Sequence, residues 1–574
     1  MLIKKINENF LFPIEFDKSK KQIFNNLYED LELLKTTSDK ISIYQKTFNP
    51  SSEIGKECLK KWSKYYTTNP NFLKDTQKII KNIDKNNNLI NDNKIISECW
   101  NSWSNIKNSE NFAEKFQYIE WDKFKFLNKS ELFLGFLTFY EIVSPVLSLL
   151  APIMLFIIPF IILKILKMPI TVETYVKILL EQLDKHPLGQ IFTKFKGLSW
   201  SQRCYLLLCG GMYIYQIYQN IISCYKFYLN TKEVNNTFNS LKIYLEYTIE
   251  KMNNYIEIID KYDSHNSYKK YIKEKLQQLE NLYIRIDKIP LTTFNPRKTT
   301  SMGKTMKEFY MLQTCPDIES LLLFTFGFNG YIETINGLKQ NINAKKINAI
   351  KIKNTKNTQL KLINLYHPCT DGEIVSNTIN MKENKIITGP NAAGKTTILK
   401  ATIINVLLSQ QIGFGFYQKG KITPFDFIHC YLNIPDTNSR DSLFQAEARR
   451  CNKILNLIND NRNCRHFCIF DELFSGTNPY EATATAYAYL NFIAKNEKVK
   501  FMLTTHYIQL CKFLKKHKSI DNFNMETSII KNIPKYSYKL IKGTSKIKGG
   551  IIVLKQLNYP NKIIEDAFKI MEKI

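Results

Sequence analysis

Three short stretches of this chain carry side chains whose types and spacing fit phosphate chemistry. The first is "IITGPNAAGKTTILKA", residues 386–401, in which two apolar runs flank a glycine-rich turn and Lys395, Thr396 and Thr397. Gly389, Gly394, Lys395 and Thr396 satisfy G-x-x-x-x-G-K-[ST], with Pro390, Asn391, Ala392 and Ala393 between the glycines. Glycines let a backbone curl until its N–H groups face a phosphate, and a helix starting there adds its positive end. In this pattern the lysine reaches the β/γ-phosphates, and the hydroxyl after it ligates Mg2+. The second stretch, "HFCIFDELFSGTNPYEA", residues 466–482, reads as an apolar strand ending in Asp471 and Glu472. An aspartate in that place supports Mg2+, and the next carboxylate orients and activates an attacking water. The third, "FMLTTHYIQL", residues 501–510, is another short apolar strand ending in Thr505 and His506, where an imidazole can sense the γ-phosphate.

Such side chains need a sheet to bring them together. From about residue 350 the chain reads as strands alternating with helical stretches, an α/β pattern around a buried sheet. Upstream it is mostly helical. Residues 1–130 show apolar residues at helical spacing with few Gly and Pro, and residues 229–290 read as long amphipathic helices.

Two apolar runs interrupt those helices. Residues 142–163 and 204–225 each hold 22 residues without a charge, long enough to span a hydrocarbon core of about 30 Å. Pro145, Pro152 and Pro159 recur every seven residues in the first run. Each would cost a soluble helix interior about 3 kcal/mol, so they favour a membrane setting or a broken helix. The loop from 164 to 203 carries seven Lys/Arg against three Asp/Glu, whereas two crossings would put it opposite the nucleotide-binding part. Short basic loops normally stay cytoplasmic, so a re-entrant or interfacial hairpin resolves the conflict.

Composition sets the outer bounds. A chain of 574 residues, 44% hydrophobic and 23% charged, is long enough for several folded domains. Eighty Lys+Arg against 52 Asp+Glu give a net charge of +28, which favours nucleic acid or an anionic membrane surface. The twelve cysteines are scattered without C-x-x-C, which fits a reduced compartment. "CRHFC", 464–468, reads as strand core rather than a metal site, and the N-terminus reads as no secretory signal. The L-S-G-G-Q signature of a transporter ATPase is missing.

Taken with their surroundings, these motifs resemble the MutS mismatch-repair ATPases. "TGPNAAGKTT", "DELFSGTNPYEA" and "TTHY" match that family's motifs in order. "RDSLFQAE", 440–447, resembles the loop inserted into a partner's site, with Ser442 in the signature-serine place. "IVSNTINM", 374–381, resembles the segment beside the adenine, with Ile374 where an aromatic ring is usual. "KGTSKIKGGIIVLKQLNYPNKIIEDA", 542–567, resembles the helical dimerisation element. More weakly, residues 49–80 resemble the start of the helical core, G-x-x-x-L-x-x-W followed by Asp/Glu-x-Gln.

The resemblance implies an ABC-like P-loop ATPase domain at 350–541 and a dimerisation element at 542–574. Ahead of them it implies a helical core at 1–130, an apolar hairpin at 131–228 and helices returning to the core at 229–349. It implies ATP and Mg2+ as ligands and a homodimer with composite sites. Lys395, Glu472 and His506 would be catalytic, Thr396 and Asp471 would hold the metal, and Ser442 would come from the partner. DNA binding and mismatch repair follow from the family, although its N-terminal mismatch-reading domain is expected to be missing. The apolar hairpin stands where a DNA clamp is expected, so the alternative is a membrane-tethered ATP switch. The chain is expected at a membrane with its ATPase domain in the cytosol, or else soluble inside the cell.

Overall fold

The computed structural model describes residues 2–573 apart from 37–39, 84–88, 90–91, 168, 291–298, 371, 433–441, 531–532, 546–553 and 555–558. In chain order the main helices are α1 (Glu53–Trp62), α2 (Pro70–Asn82), α3 (Glu131–Ile165), α4 (Trp200–Ile259), α5 (Asn266–Asp287) and α6 (Thr299–Thr314). They continue with α7 (Pro316–Asn343), α8 (Lys395–Gln411), α9 (Leu443–Asp460), α10 (Pro479–Ile493) and α11 (Asn561–Lys573). The region before residue 348 is mostly helical and the region after it is α/β, as the periodicity predicts.

The chain divides into two units. The first comprises Met1–Asn91, Glu250–Leu276 and Leu323–Ile574; the second comprises Asp92–Ile249 and Gln277–Leu322. This division does not follow the five consecutive segments read from the sequence. Residues 1–91 fold with the C-terminal α/β region, and α4, α5 and α7 each contribute residues to both units.

In the first unit the α/β region holds β1 (Asn348–Ile352), β2 (Leu360–Leu365), β3 (Asn377–Asn380), β4 (Asn384–Thr388), β5 (Phe414–Gly415) and β6 (Lys419–Ile422). It continues with β7 (Phe427–Tyr431), β8 (His466–Asp471), β9 (Val499–Thr504), β10 (Ile520–Ile530) and β11 (Ile533–Lys542). Six of these form a sheet in the order β11-β10-β4-β9-β8-β7, parallel except for the β10–β11 hairpin. β4 is buried along its whole length and β8 and β9 almost so, which is why they read as unbroken apolar runs. Asp471 pairs with Thr504, and Thr504 with Ile387, so three strands end side by side. A second sheet, ordered β3-β2-β6-β1-β5, flanks the first.

The N-terminal segment packs on α7 in the same unit. A Cβ on Gly337 would come within 1.9 Å of the Phe48 carbonyl oxygen, and one on Gly330 within 2.7 Å of Cys58 Sγ. Only glycine permits that approach. Trp62 stacks on Phe48 at 4.6 Å and donates from Nε1 to Thr334 Oγ1 at 3.2 Å. Gln77, the glutamine of the core-like pattern, donates to the carbonyls of Ile350 and Gly413. Glu333 on α7 is buried, and its Oε1 accepts from Ser51 N at 2.7 Å, Ser51 Oγ at 2.8 Å and Ser52 N at 2.8 Å. Its Oε2 accepts from Ser52 Oγ at the start of α1.

The second unit is helical. Phe309 on α6 gathers Phe116 at 4.8 Å, Phe112 at 5.5 Å and Phe238 at 6.0 Å into its core. Ion pairs join Arg285 to Glu308 at 2.6 Å and Lys107 to Glu319 at 2.7 Å. Helix α3 runs unbroken through Pro145 and Pro159, so the broken-helix expectation does not hold there. Its 35 residues amount to about 52 Å of helix. Among the described residues, one helix has a stretch apolar and long enough to cross a membrane: Glu131–Ser148, 11% buried, on α3. The expected run at 142–163 lies wholly within α3, whose described residues also include a shorter apolar piece, Phe156–Ile165. Residues 204–225, expected as a second span, lie on α4 and do not meet the same measure. Gln216, Gln219, Asn220 and five tyrosines between 205 and 225 dilute the apolar character of that run. Leu132, Phe136, Leu147, Ile153 and Phe156 on α3 are nevertheless exposed, as are Leu207, Leu208, Met212 and Ile214 on α4.

Replacing Glu333 by Ala removes the acceptor for two backbone N–H groups and two hydroxyls. The expected loss is roughly 2–4 kcal/mol. It should appear as a lower urea midpoint and faster hydrogen exchange across residues 51–62, with Glu333→Gln losing less.

Candidate nucleotide site

Helix α8 starts where β4 ends. Gly394 is its N-cap, with φ at +90°, a left-handed conformation that a side chain disfavours. Ala392 also takes a positive φ, +63°. No side chain caps α8, so the first-turn N–H groups have no side-chain acceptor there. Fourteen of its 17 residues are buried, so the helix is held rigidly with this end facing a cavity of about 450 Å³. That volume lies in the usual range for small-molecule sites. Asn391, Ala392, Gly394, Lys395, Thr396 and Thr397 all line the cavity.

The strand ends deliver the charged groups. Thr396 Oγ1 donates to Asp471 Oδ2 at 2.7 Å, and Thr504 Oγ1 donates to Asp471 Oδ1. Lys395 is only 6% exposed. Its Nζ lies 3.2 Å from the Pro390 carbonyl, 3.0 Å from His506 Nε2 and 3.9 Å from Glu472 Oε1. Burial holds the Lys395 ammonium below the usual lysine range, with Glu472 and Asp471 opposing that shift. A desolvated cation beside uncapped helix N–H groups fits a polyphosphate. The Thr396 hydroxyl beside the Asp471 carboxylate is an oxygen donor pair of the kind Mg2+ takes.

Glu472 follows Asp471 in a left-handed conformation, φ +51°, and its N–H donates to the Thr504 carbonyl at 3.1 Å. This turns its side chain away from the strand and toward His506, whose Nε2 lies 2.9 Å from Glu472 Oε1. The His506 hydrogen bond holds the Glu472 carboxyl below the ordinary glutamate range against the opposing effect of burial. Thr505 N–H donates to the Ile387 carbonyl at 3.1 Å, which fixes the chain just before His506.

The structure thus brings Lys395, Thr396, Asp471, Glu472 and His506 together. Ala393 is buried beneath the loop, and Gly389 sits against Met525 of β10. Ile374 is 59% exposed and does not line the cavity, although its neighbours Glu373 and Val375 do. Ser442 caps α9 by accepting from Gln445 N at 3.3 Å and is exposed, away from this cavity. The residues just before it, 433–441, lie outside the described chain, as does much of the 542–567 element.

Five further residues contribute to the site. Buried Glu447 on α9 accepts from Ser475 N, Ser475 Oγ and Gly476 N at 2.9–3.1 Å and so anchors the loop that follows Glu472. Tyr538 on β11, at φ +56°, lines the cavity, and a Cβ on Gly394 would lie 3.2 Å from its ring. Asn377 holds Tyr538 in place by donating to its carbonyl at 2.9 Å and accepting from Leu540 N at 2.8 Å. Tyr366 and His367, just past β2, form another part of the wall. Burial pushes the His367 imidazole down to about 4, so it stays neutral near pH 7. In the sequence Glu447 ends "RDSLFQAE", Asn377 lies in "IVSNTINM", and the aromatic pair of "LYHP" at a strand end marks Tyr366 and His367, whereas Tyr538 carries no such signal.

Replacing His506 by Ala removes the bond that favours ionised Glu472. Because the native carboxyl is depressed, its stabilising contribution is complete above the ordinary glutamate range and fades as pH falls through the lowered value. In His506→Ala that carboxyl should titrate at higher pH, which difference infrared spectroscopy against Glu472→Gln would detect.

The MutS domain V family model matches residues 385–574, which contain all of these groups except Tyr366, His367, Ile374 and Asn377. The DNA mismatch repair protein MutS of Persephonella marina is 30% identical over 213 residues, 36% of this chain and 24% of that protein. The proteins of the same name from Bacteroides fragilis and Flavobacterium psychrophilum are 32% and 31% identical, over 33% of this chain and 22% of theirs. The chain therefore spans about a quarter of the length of the curated relatives it matches. By residues 385–574, the C-terminal third of the chain is similar to MutS domain V.

Proposed function

We propose that this protein hydrolyses ATP, and that the grouping of Lys395, Thr396, Asp471, Glu472 and His506 at one end of α8 carries the reaction. The loop 389–394 and the α8 N-terminus would cradle the β- and γ-phosphates, with Lys395 as the buried counter-charge. Thr396 and Asp471 would hold Mg2+, which when bound supplies positive charge to the phosphate oxygens. Glu472 orients a water and takes its proton as the water oxygen bonds to the γ-phosphorus and the bond to the β-phosphate oxygen breaks. His506 positions Glu472 and keeps it ionised. Tyr366 and Tyr538 offer ring faces to the base, a place Ile374 does not occupy.

The working form in this reading is a homodimer, with Ser442 of each copy completing the other's site. Its support is the family and the exposed apolar residues of α11, Ile563, Phe568 and Ile570. DNA is the proposed partner, supported by the relatives named for mismatch repair and by the +28 charge.

A second reading keeps the ATPase and tethers it to a membrane without mismatch recognition, its ATPase domain in the cytosol. The observation favouring it is the exposed apolar stretch Glu131–Ser148 on α3. A soluble intracellular protein is the counterpart reading.

Glu472→Gln should bind ATP as the parent does and turn it over about 10²–10⁴-fold more slowly in a single-turnover assay. Unchanged turnover would remove Glu472 from its role. The output is decided by two measurements on the full chain. Heteroduplex preference over homoduplex at matched salt supports repair, and carbonate-resistant pelleting with membranes supports the tether. Equal binding to both duplexes would leave only non-specific phosphate attraction.

A further inference from the structure

A cavity in the second unit is larger than the nucleotide cavity, at about 830 Å³. Its long walls are α3 and α4, which run antiparallel. Asn220 donates to Ser148 across them, and that contact fixes their register. At an equal rise of 1.5 Å per residue, residue 141 then lies level with 227, and 134 with 234. All four positions line the cavity.

The two ends differ in chemistry. Glu141, Ser144 and Asn220 line the end toward the Ser148–Asn220 contact. Leu134 and Val234, with Met302 and Met306 of α6, line the other. Ten residues of helix, from 134 to 144, separate these ends by about 15 Å. The neighbouring polar groups are largely satisfied. Asn220 also accepts from Gln216 at 3.0 Å, Thr138 donates to the Leu134 carbonyl at 2.7 Å, and Asn230 donates to the Lys115 carbonyl at 2.7 Å. Glu141 is the exception: its Oε1 is shut off from solvent and has no hydrogen-bond partner among the described residues. The other charges on the wall are Glu114, exposed Lys226 and Lys115, and Lys115 is engaged by Glu233 at 2.5 Å.

A carboxyl oxygen withdrawn from water without a donor is costly, and either a proton or a cationic donor relieves it. The volume suits an organic molecule rather than a bare ion. We infer that this cavity binds an amphiphilic amine, its ammonium on Glu141 and its apolar body along Leu134, Val234 and the two methionines. The inference rests on neither the ATPase reading nor the membrane reading.

The test is calorimetry on the full chain with n-octylammonium, n-octanol and n-octanoate as probes, each below its aggregation concentration. Octylammonium should bind saturably and more tightly than octanol or octanoate. Glu141→Gln should weaken octylammonium at least tenfold and leave octanol unchanged, and Ser144→Phe should exclude all three by filling the polar end. Equal binding of octylammonium and octanol, wild-type affinity in Glu141→Gln, or no saturable binding to the parent chain would each overturn the inference. Circular dichroism confirms that each variant is folded, and membrane pelleting of the parent, scored separately, keeps failure of the tether distinct from failure of the cavity.

Discussion

The first unit depends on one helix being buried almost all round. α8 can enter the interior only if the polar side chains it buries find partners, and Thr402, Asn405, Ser409, Gln410 and Gln411 all do. Asn405 donates to the Ala401 carbonyl and accepts from Phe416 N, and Ser409 meets the Tyr417 hydroxyl at 3.0 Å. At its C-terminal end Gln411 donates to the carbonyls of Trp62 and Tyr65 and accepts from Tyr44, while Gln410 reaches Thr67 and Phe425. Buried polar groups so placed cost little, whereas any one left alone would be expensive. The N-terminal segment is therefore structural support for the α/β region. It holds the far end of α8, and the near end is left to face the cavity.

That arrangement gives the near end its electrostatics. A helix fixed in a dry interior presents its uncapped N–H groups and Lys395 at a set place, with no reorganisation needed to meet an anion. The parallel strands end beside it, and the backbone turn at Glu472 separates two adjacent carboxylates. Asp471 faces the hydroxyls of Thr396 and Thr504, and Glu472 faces His506. Neighbours in sequence acquire different partners because a left-handed residue reverses the alternation of a strand.

The second unit follows different physics. Its core is aromatic around Phe309, and α3 and α4 carry apolar side chains outward beyond what a helical unit needs to bury. Surfaces of this kind usually mark an interaction. They sit in the part of the chain that the MutS domain V match, residues 385–574, does not cover. The similarity to MutS domain V concerns the α/β region, and these helices lie outside it.

By itself the sequence determined the class of the α/β fold and which residues would gather at the candidate site. Apolar runs ending in Lys395–Thr396, Asp471–Glu472 and Thr505–His506 announce parallel strands with polar ends, because buried strands must be apolar and charged groups must leave them. Tertiary structure decided what depends on residues distant in the chain. Tyr538 reaches the cavity through a hairpin and is held by Asn377, Glu447 steadies the Glu472 loop from another helix, and Gln410 and Gln411 bind a segment more than 340 residues earlier. Local periodicity carries no trace of such pairings. It also overstated residues 204–225, where the absence of charge stood in for apolarity although tyrosines and amides dilute it. Charge and hydropathy are properties of a residue, whereas a partner is a property of the fold.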